Sequence, residues 1–213
     1  MASQPLDTGD VLPTRAESEA RLAAVRAKIA ERVSDATLGA WWAERVRLAP
    51  DRPVVRTDDR VLTYRDFDRL VARVAHWARE RGLRPGDTVG LQLPASPAFL
   101  ALILGLAEAG ARLSLLGTGL RGRSLAHALA EVPVARLVTT AEIEPELARG
   151  RSLPAAAIHV LEVGSHDPLD ALDRLLARTG VPESATAAAL AAREAEAARG
   201  TVSPDDTLFS IFT

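Results

Sequence analysis

Strand-length apolar runs alternate with helix-length segments from residue 88 to the end of the chain, and this alternation restricts the possible folds more than any other feature. The predicted strands are 88–93, 112–116, 136–140, 157–163 and 207–212, and the predicted helices between them are 97–109, 122–131, 168–178 and 184–199. Alternation of this kind predicts an α/β fold: a doubly wound, largely parallel sheet with flanking helices. Because crossover connections are short and right-handed, we expect the first three of these strands to be neighbours.

The helix predicted over 97–109 is apolar on every side. Ser96 and Pro97 supply an N-cap and an N1 proline. The large apolar side chains that follow are Phe99, Leu100, Leu102, Ile103, Leu104 and Leu106. A helix without a polar face is buried on several sides, so we expect this one to be largely buried.

The part of the chain before residue 88 carries helix caps and one hairpin pattern. The predictions are, in chain order, a flexible leader over 1–13, a helix from Thr14, a helix over 36–48, a hairpin over 54–62 and a helix from Thr63 to Gly82. We therefore divide the chain into a leader with an N-terminal helix, 1–35, and an α/β subdomain, 36–213.

Charge and residue type exclude several classes of function. The 213 residues carry 26 Lys and Arg against 28 Asp and Glu, a formal net charge of −2, which argues against a dedicated nucleic-acid binder. The absence of cysteine excludes disulfides and thiolate metal sites. No apolar run reaches membrane-spanning length and the first ten residues lack a signal-peptide pattern. We therefore expect a cytoplasmic protein with no transmembrane segment.

A glycine loop follows the second predicted strand of the alternating region, where Gly117, Gly119 and Gly122 form a literal G-x-G-x-x-G before a predicted helix. This spacing is typical of a nicotinamide-dinucleotide loop, in which the backbone approaches a pyrophosphate. Glu142 and Glu144 follow the next strand, where a ribose-binding acid would lie. A dinucleotide fold would begin its first strand just before this loop and leave the preceding half of the chain unexplained. We therefore favour a structural turn.

The remaining polar side chains show no arrangement that indicates catalysis. The histidines lack metal-like spacing, and we expect surface or hydrogen-bonded positions for His76, His127, His159 and His166. The acids Asp167, Asp170 and Asp173 recur at helical spacing and predict a solvated helix face. For Trp41 and Trp42, on an amphipathic helix, packing is the expected role.

Three short segments, read in order, resemble the opening of the adenylate-forming (ANL) superfamily. They are Asp-Arg-Pro-Val-Val at 51–55, Leu-Thr-Tyr-Arg-Asp-Phe at 62–67 and Pro-Gly-Asp-Thr-Val-Gly-Leu at 85–91. The apolar helix and the small-residue turn at 109–111 are similar to the segments that follow in that superfamily. Its members include acyl-CoA synthetases, luciferases and nonribosomal adenylation domains, and the resemblance covers roughly residues 36–213.

Residues 115–127 resemble one branch of that superfamily, the fatty-acid transport proteins and very-long-chain acyl-CoA synthetases. Leu120, Arg121 and His127 match the branch's Asn-Thr-x-Leu-Arg-Gly-x-x-Leu-x-His segment. Gly117 stands where the branch has Asn, and this difference creates the dinucleotide-like spacing.

The resemblance implies a reaction in two half-steps. A carboxylate attacks the α-phosphorus of ATP to give acyl-AMP and pyrophosphate, with Mg²⁺ as the metal cofactor. A thiol, from CoA or from a carrier protein, then displaces AMP. The branch implies a fatty acid as substrate, and an amino acid or aryl acid is the alternative within the superfamily.

The resemblance also makes Thr213 the first residue of the family's phosphate loop, and so a cofactor-binding contact. The family's other groups that handle ATP are the rest of that loop, an adenine platform, a ribose-binding Asp and a C-terminal Lys, and all would follow Thr213. We therefore assign no catalytic residue and no metal ligand. We expect the chain to be an N-terminal fragment, inactive without the C-terminal part of the enzyme.

Overall fold

A computed structural model of the chain describes residues 37–145, 147, 153–162, 167–197 and 209–212. The leader and the helix predicted from Thr14 lie outside the described residues, as do His166 and Thr213. The division at residue 35 therefore stays a prediction.

The elements follow the predicted order closely. The strands are β1 (Pro53–Arg56), β2 (Val61–Thr63), β3 (Thr88–Leu91), β4 (Arg112–Leu116), β5 (Arg136–Thr140), β6 (Ile158–Leu161) and β7 (Phe209–Phe212). The helices are α1 (Leu38–Leu48), α2 (Tyr64–Glu80), α3 (Pro97–Glu108), α4 (Gly122–Glu131), α5 (Pro168–Arg178) and α6 (Thr186–Ala197), with 3₁₀ turns at Ala155–Ala157 and Glu183–Ala185. Thr63 caps α2 by accepting a hydrogen bond from the backbone N–H of Asp66, as the capping pattern predicts.

Five parallel strands form the main sheet, in the order β6-β5-β3-β4-β7. Val89 of β3 stands opposite Leu113 of β4 on one side and Arg136 of β5 on the other. The three strands predicted to be neighbours are therefore neighbours, and the predicted α/β class is confirmed. The predicted hairpin is also present, as an antiparallel pair of β1 and β2 separate from this sheet.

Helices cover both faces of the sheet, and buried apolar side chains of its strands lie on both faces. One face packs against α2, α3 and α5 in a core that contains the side chains of Val89, Leu91, Leu113, Val138 and Leu161. The other face packs against α4 in a smaller core that contains Leu116, Leu137, Leu125 and Leu129. Side chains alternate between the two faces because successive residues of a strand point in opposite directions.

The helix α3 is largely buried, as its composition predicts. The Ser96 hydroxyl accepts a hydrogen bond from the backbone N–H of Phe99 at 3.2 Å, and Pro97 occupies the first turn. One side of the helix is less covered than expected, because Leu100 is 39% exposed. The absence of a polar face therefore does not place every side of α3 in the core.

The crossing of α2 and α3 depends on Gly105. A Cβ atom on Gly105 would lie 2.6 Å from Val74 Cβ and 2.7 Å from the backbone oxygen of Val71. Neither neighbour is the flexible end of a side chain, so the two helices would have to move apart to accept a methyl group.

We expect Gly105→Ala to lower the free energy of unfolding by about 1–3 kcal/mol, measured by urea denaturation, because overpacking costs that much. The loss should appear although alanine is favoured over glycine in a helix by about 1 kcal/mol. Gly119→Ala is the matched control, since a Cβ there meets nothing within 4 Å. Equal stability of Gly105→Ala and the unsubstituted protein would contradict the close approach.

The acidic side of α5 is only partly the solvated face that the sequence predicts: the side chains of Asp170 and Asp173 are 46% exposed, but that of Asp167 is 9% exposed, and all three acids have arginine partners. The Nε atom of Arg60 lies 2.9 Å from Asp167 Oδ2, and its Nη2 atom lies 2.6 Å from Asp170 Oδ1. Asp173 forms an ion pair with Arg73, whose side chain is only 5% exposed. The acids therefore attach α5 to α2 and to the hairpin. The sequence did not predict these partners, because the arginines come from segments about a hundred residues earlier.

Candidate functional site

The carboxyl edge of the main sheet is the place where this architecture binds ligands. In open α/β sheets, ligands occupy the crevice beyond the carboxyl ends of the strands, where the strand order reverses. Here the chain continues from β3 to β4 on one side and later adds β5 on the other side of β3. The reversal therefore lies between β3 and β5, and the glycine loop leaves the same edge from β4.

The glycine loop is a turn held by side chains of this chain. The backbone N–H of Leu120 donates to the oxygen of Gly117 at 3.0 Å. Gln92, which directly follows β3, donates from Nε2 to the oxygens of Gly117 and Leu120 at 3.2 and 3.0 Å. Arg121 donates to the oxygen of Thr118 at 2.6 Å. Three carbonyl groups of the loop thus have partners within the chain.

This geometry favours the structural turn over a dinucleotide site. Gly122 has φ 48° and begins α4, so its left-handed backbone accounts for a glycine there. The two acids proposed for a ribose, Glu142 and Glu144, are exposed. They follow β5, which β3 separates from β4. The structure therefore does not bring these acids to the loop.

We expect no saturable binding of NAD(H) or NADP(H), because the glycine loop follows β4 while Glu142 and Glu144 follow β5, on the far side of β3. Titration followed by nicotinamide fluorescence measures this directly. Saturable binding that Gly119→Val abolishes would contradict the structural turn and support the dinucleotide alternative.

The last described strand brings the chain to the same edge. Phe212 of β7 stands opposite Leu116 of β4 in parallel pairing. The chain therefore passes Phe212 beside the start of the glycine loop. Thr213, the single residue predicted to contact a nucleotide, follows immediately but lies outside the described residues.

A buried charged cluster, formed by Asp68, Glu108 and Arg193, joins α2, α3 and α6. Arg193 donates from Nη1 to Asp68 Oδ2 at 2.8 Å and lies 2.7 Å from Glu108 Oε2 through Nη2. Trp42 of α1 donates from Nε1 to Asp68 Oδ1 at 2.7 Å. The side chains of the three charged residues are 10–16% exposed. Burial raises the pKa of the Glu108 carboxyl, and Arg193 opposes that rise.

Sequence reasoning missed this cluster, although one signal was available. Asp68 shares the inner face of α2 with Val71, Ala72 and Ala75, at spacings of three, four and seven residues. A carboxylate on an apolar helix face requires a partner. Glu108 ends α3 before the chain enters β4, at the end of the helix opposite the carboxyl edge. We therefore interpret the cluster as structural.

His159 differs from the expectation of a surface or hydrogen-bonded histidine. It is 7% exposed on β6, its ring is edge-on to Trp77 at 5.0 Å, and its Nε2 has no hydrogen-bond partner. Burial, followed by repulsion from Arg136 and Arg81, lowers the pKa of His159 to about 4. The ring is therefore neutral near pH 7, and its packing against Trp77 indicates a core role. His127, by contrast, is exposed as expected.

The described ranges contain no group of three or more His, Asp or Glu side chains that could hold a metal ion. These ranges therefore offer no cluster that would hold Mg²⁺. The same ranges contain no helix that is long and apolar enough to span a membrane.

A comparison with protein families matches residues 42–213 to the model of the AMP-binding enzymes. This match begins within α1 and extends through β7 to the end of the chain. It includes the glycine loop and the carboxyl edge of the sheet, so the family accounts for the fold on both sides of the loop.

Relatives and solved structures agree with this match. The chain is 37% identical over 136 residues to a feruloyl-CoA synthase of Amycolatopsis sp, which covers 62% of the chain and 28% of the relative. It is 29% identical over 181 residues to the medium/long-chain-fatty-acid–CoA ligase FadD6 of Mycobacterium tuberculosis. This alignment covers 84% of the chain and 27% of FadD6.

The fold is similar to that of the N-terminal domain of FACL13 from Mycobacterium tuberculosis, with a TM-score of 0.54 and 20% sequence identity. The alignment covers 70% of this chain and 38% of the FACL13 chain. The chain thus spans under a third of the length of these two curated relatives. These relatives do not single out the very-long-chain branch.

Proposed function

Because this chain belongs to the AMP-binding enzyme family, we propose that it contributes to a ligase that activates a carboxylic acid with ATP and transfers the acyl group to CoA. The observation that carries the proposal is the family match over residues 42–213, together with two relatives that are named as a CoA synthase and a CoA ligase. We further propose that residues 36–213 form the N-terminal α/β subdomain of this enzyme, expected in the cytoplasm.

In the proposed reaction, a carboxylate oxygen attacks the α-phosphorus of ATP. A P–O bond to the acid forms, the bond to the leaving pyrophosphate breaks, and acyl-AMP results. The deprotonated thiol of CoA then attacks the acyl carbon, a thioester forms and AMP leaves. Both steps require stabilisation of phosphate charge by preorganised cations and hydrogen-bond donors. We propose Thr213 as a nucleotide contact and assign no step to the described residues.

We propose a fatty acid as the substrate. The match to the fatty-acid ligase FadD6 extends over 84% of the chain, and the segment 115–127 resembles the fatty-acid branch. An aryl acid is the second candidate, because the match to feruloyl-CoA synthase has the higher identity, 37% against 29%. A carrier-protein thiol in place of CoA is the alternative acceptor.

The test is ATP–pyrophosphate exchange by the native gene product, including any residues encoded after Thr213. The acids to compare are medium and long fatty acids, ferulate, benzoate and an amino-acid mixture, with a sample lacking acid as the control. We expect exchange that requires a fatty acid and Mg²⁺. Exchange with ferulate alone would overturn the fatty-acid assignment, and no exchange with any acid would overturn the ligase.

A further inference from the structure

We propose that a cavity away from the carboxyl edge binds a small zwitterion, an α-amino acid with an apolar side chain. The cavity has a volume of about 290 Å³ and lies between α2, the hairpin, α5 and the start of α6. Ligand cavities measure about 300–1,000 Å³, so this one suits a molecule at the small end of that range. Among the described residues, neither the main sheet nor the glycine loop contributes to its lining.

The walls of this cavity carry equal numbers of positive and negative side chains. Three arginines and three acids line it, namely Arg60, Arg69, Arg73, Asp66, Asp173 and Glu183. A ligand with only a negative charge would meet three carboxylates, and a ligand with only a positive charge would meet three guanidinium groups. A molecule with one charge of each sign can pair each charge with the opposite one on the wall, so the charge pattern selects a zwitterion.

Arg73 supplies a donor that the chain itself leaves unused. Its Nη1 donates to Asp173 Oδ1, and its Nη2 donates to the oxygen of Val181 at 3.1 Å. The side chain is only 5% exposed, and the donor on Nε is buried without a partner. A buried unpaired donor is unfavourable, and a ligand carboxylate in the cavity would remove that cost by accepting from it. Because two hydrogen bonds already fix the guanidinium group, the ligand has little side-chain ordering to oppose it.

The same cavity offers surfaces for the other two parts of an amino acid. Glu183 is exposed, and its carboxylate has no partner among the described residues, so it can accept from a ligand ammonium group. Leu62, Leu70 and Leu169 form an apolar part of the wall, and the last two are buried. An aliphatic or aromatic side chain gains affinity from contact with these leucines.

The test is isothermal titration calorimetry of the native gene product with L-leucine and with L-phenylalanine, in the absence of ATP. Three further ligands each lack one part of leucine: isocaproate lacks the amine, isoamylamine lacks the carboxylate, and glycine lacks the apolar side chain. We expect saturable binding of an amino acid with a Kd of about 1 mM or tighter. Isoamylamine and glycine should bind about 10-fold more weakly or worse, and isocaproate about 2–5-fold more weakly.

Two variants locate the binding in this cavity. Glu183→Gln removes the charge but keeps the shape of the side chain, and it breaks no side-chain contact of the described residues. Arg73→Met removes the buried donor, and circular dichroism must first show that this variant is folded. Glu142→Gln is the matched control, because Glu142 is also an exposed acid without a partner among the described residues and does not line the cavity.

We expect Glu183→Gln to weaken binding of the amino acid by about 2–5-fold, the range for an exposed ion pair, and Glu142→Gln to leave it unchanged. Folded Arg73→Met should weaken it by about 10-fold or more. Absence of saturable binding by both amino acids, or binding that Glu183→Gln leaves unchanged, would overturn the site. Isocaproate binding that equals that of leucine and is weakened by Arg73→Met would overturn the zwitterion.

This inference does not rest on the proposed function, and the two fail separately. An amino acid that binds only as a substrate of the ligase would be insensitive to Glu183→Gln. A native gene product that shows no pyrophosphate exchange with any acid would refute the ligase, and the calorimetric result for the cavity would stand.

Discussion

Arg193→Ala is expected to lower the free energy of unfolding by about 3–5 kcal/mol, the usual cost of removing one partner from a buried ion pair. The substitution leaves Asp68 and Glu108 buried without the cation that both contact. It also removes the charged contacts of α6 with α2 and α3. Urea denaturation of the purified protein, followed by circular dichroism, gives the difference directly.

The control for this substitution is Arg47→Ala. Arg47 pairs with Glu44 on α1, but its side chain is 69% exposed, so we expect a loss of about 0–1 kcal/mol. A similar small loss for Arg193→Ala would mean that the buried cluster does not hold α6.

The variant should also show a characteristic pH dependence. Burial already raises the pKa of Glu108. Removal of Arg193 eliminates the charge attraction and the hydrogen bond by which that arginine lowers the same pKa. In the variant, folded Glu108 therefore binds a proton at a higher pH than the unfolded chain does. Stability then increases as the pH falls through this range, so the destabilisation relative to the unsubstituted protein should shrink between pH 7 and pH 5. If the difference in the free energy of unfolding between Arg193→Ala and the unsubstituted protein is constant with pH, protonation of Glu108 does not contribute to it.

The polypeptide 1–213 alone is expected to show no measurable ATP–pyrophosphate exchange, whatever acid is supplied. The chain covers 28% of the feruloyl-CoA synthase and 27% of the ligase FadD6, and no step of the proposed reaction is assigned to its described residues. Loss of one preorganised electrostatic donor lowers a rate by about 10²–10³-fold, and several absent donors should leave only background.

Radiolabelled pyrophosphate incorporation into ATP measures this activity with high sensitivity. The native gene product serves as the positive control, and a cooperative unfolding transition must first show that polypeptide 1–213 is folded. Exchange above background by the folded polypeptide would show that these residues already contain a working phosphate site.

Local periodicity was sufficient to predict most of the fold. The strands β4 and β5 and the helices α4 and α5 have the predicted limits, because each lies between a turn signal and a change of hydrophobic period. The cap at Thr63 required only the spacing to Asp66. The structural turn at 117–122 followed from its position in the chain, since a dinucleotide fold would not explain the residues before it.

Contacts between distant segments could not be predicted from local periodicity. The charged cluster joins positions 68, 108 and 193, and no local pattern connects them. The partners of the α5 acids are Arg60 of the hairpin and Arg73 of α2. The hydrogen bonds from Gln92 to the 117–120 turn could not be predicted either, because they depend on which strand lies beside β3. For the same reason the exposed fraction of Leu100 could not be inferred from the composition of α3.

The place of β7 in the sheet has a consequence for synthesis of the protein on the ribosome. β7 pairs with β4, although the two strands are separated by more than ninety residues of chain. Until residues 209–212 emerge, the apolar strand β4 is an open edge of a four-stranded sheet. An uncovered apolar edge is a template for pairing with other chains. Because the chain grows at about 5–20 residues per second, this edge stays open for several seconds, and a nascent chain is at greatest risk of aggregation during that interval.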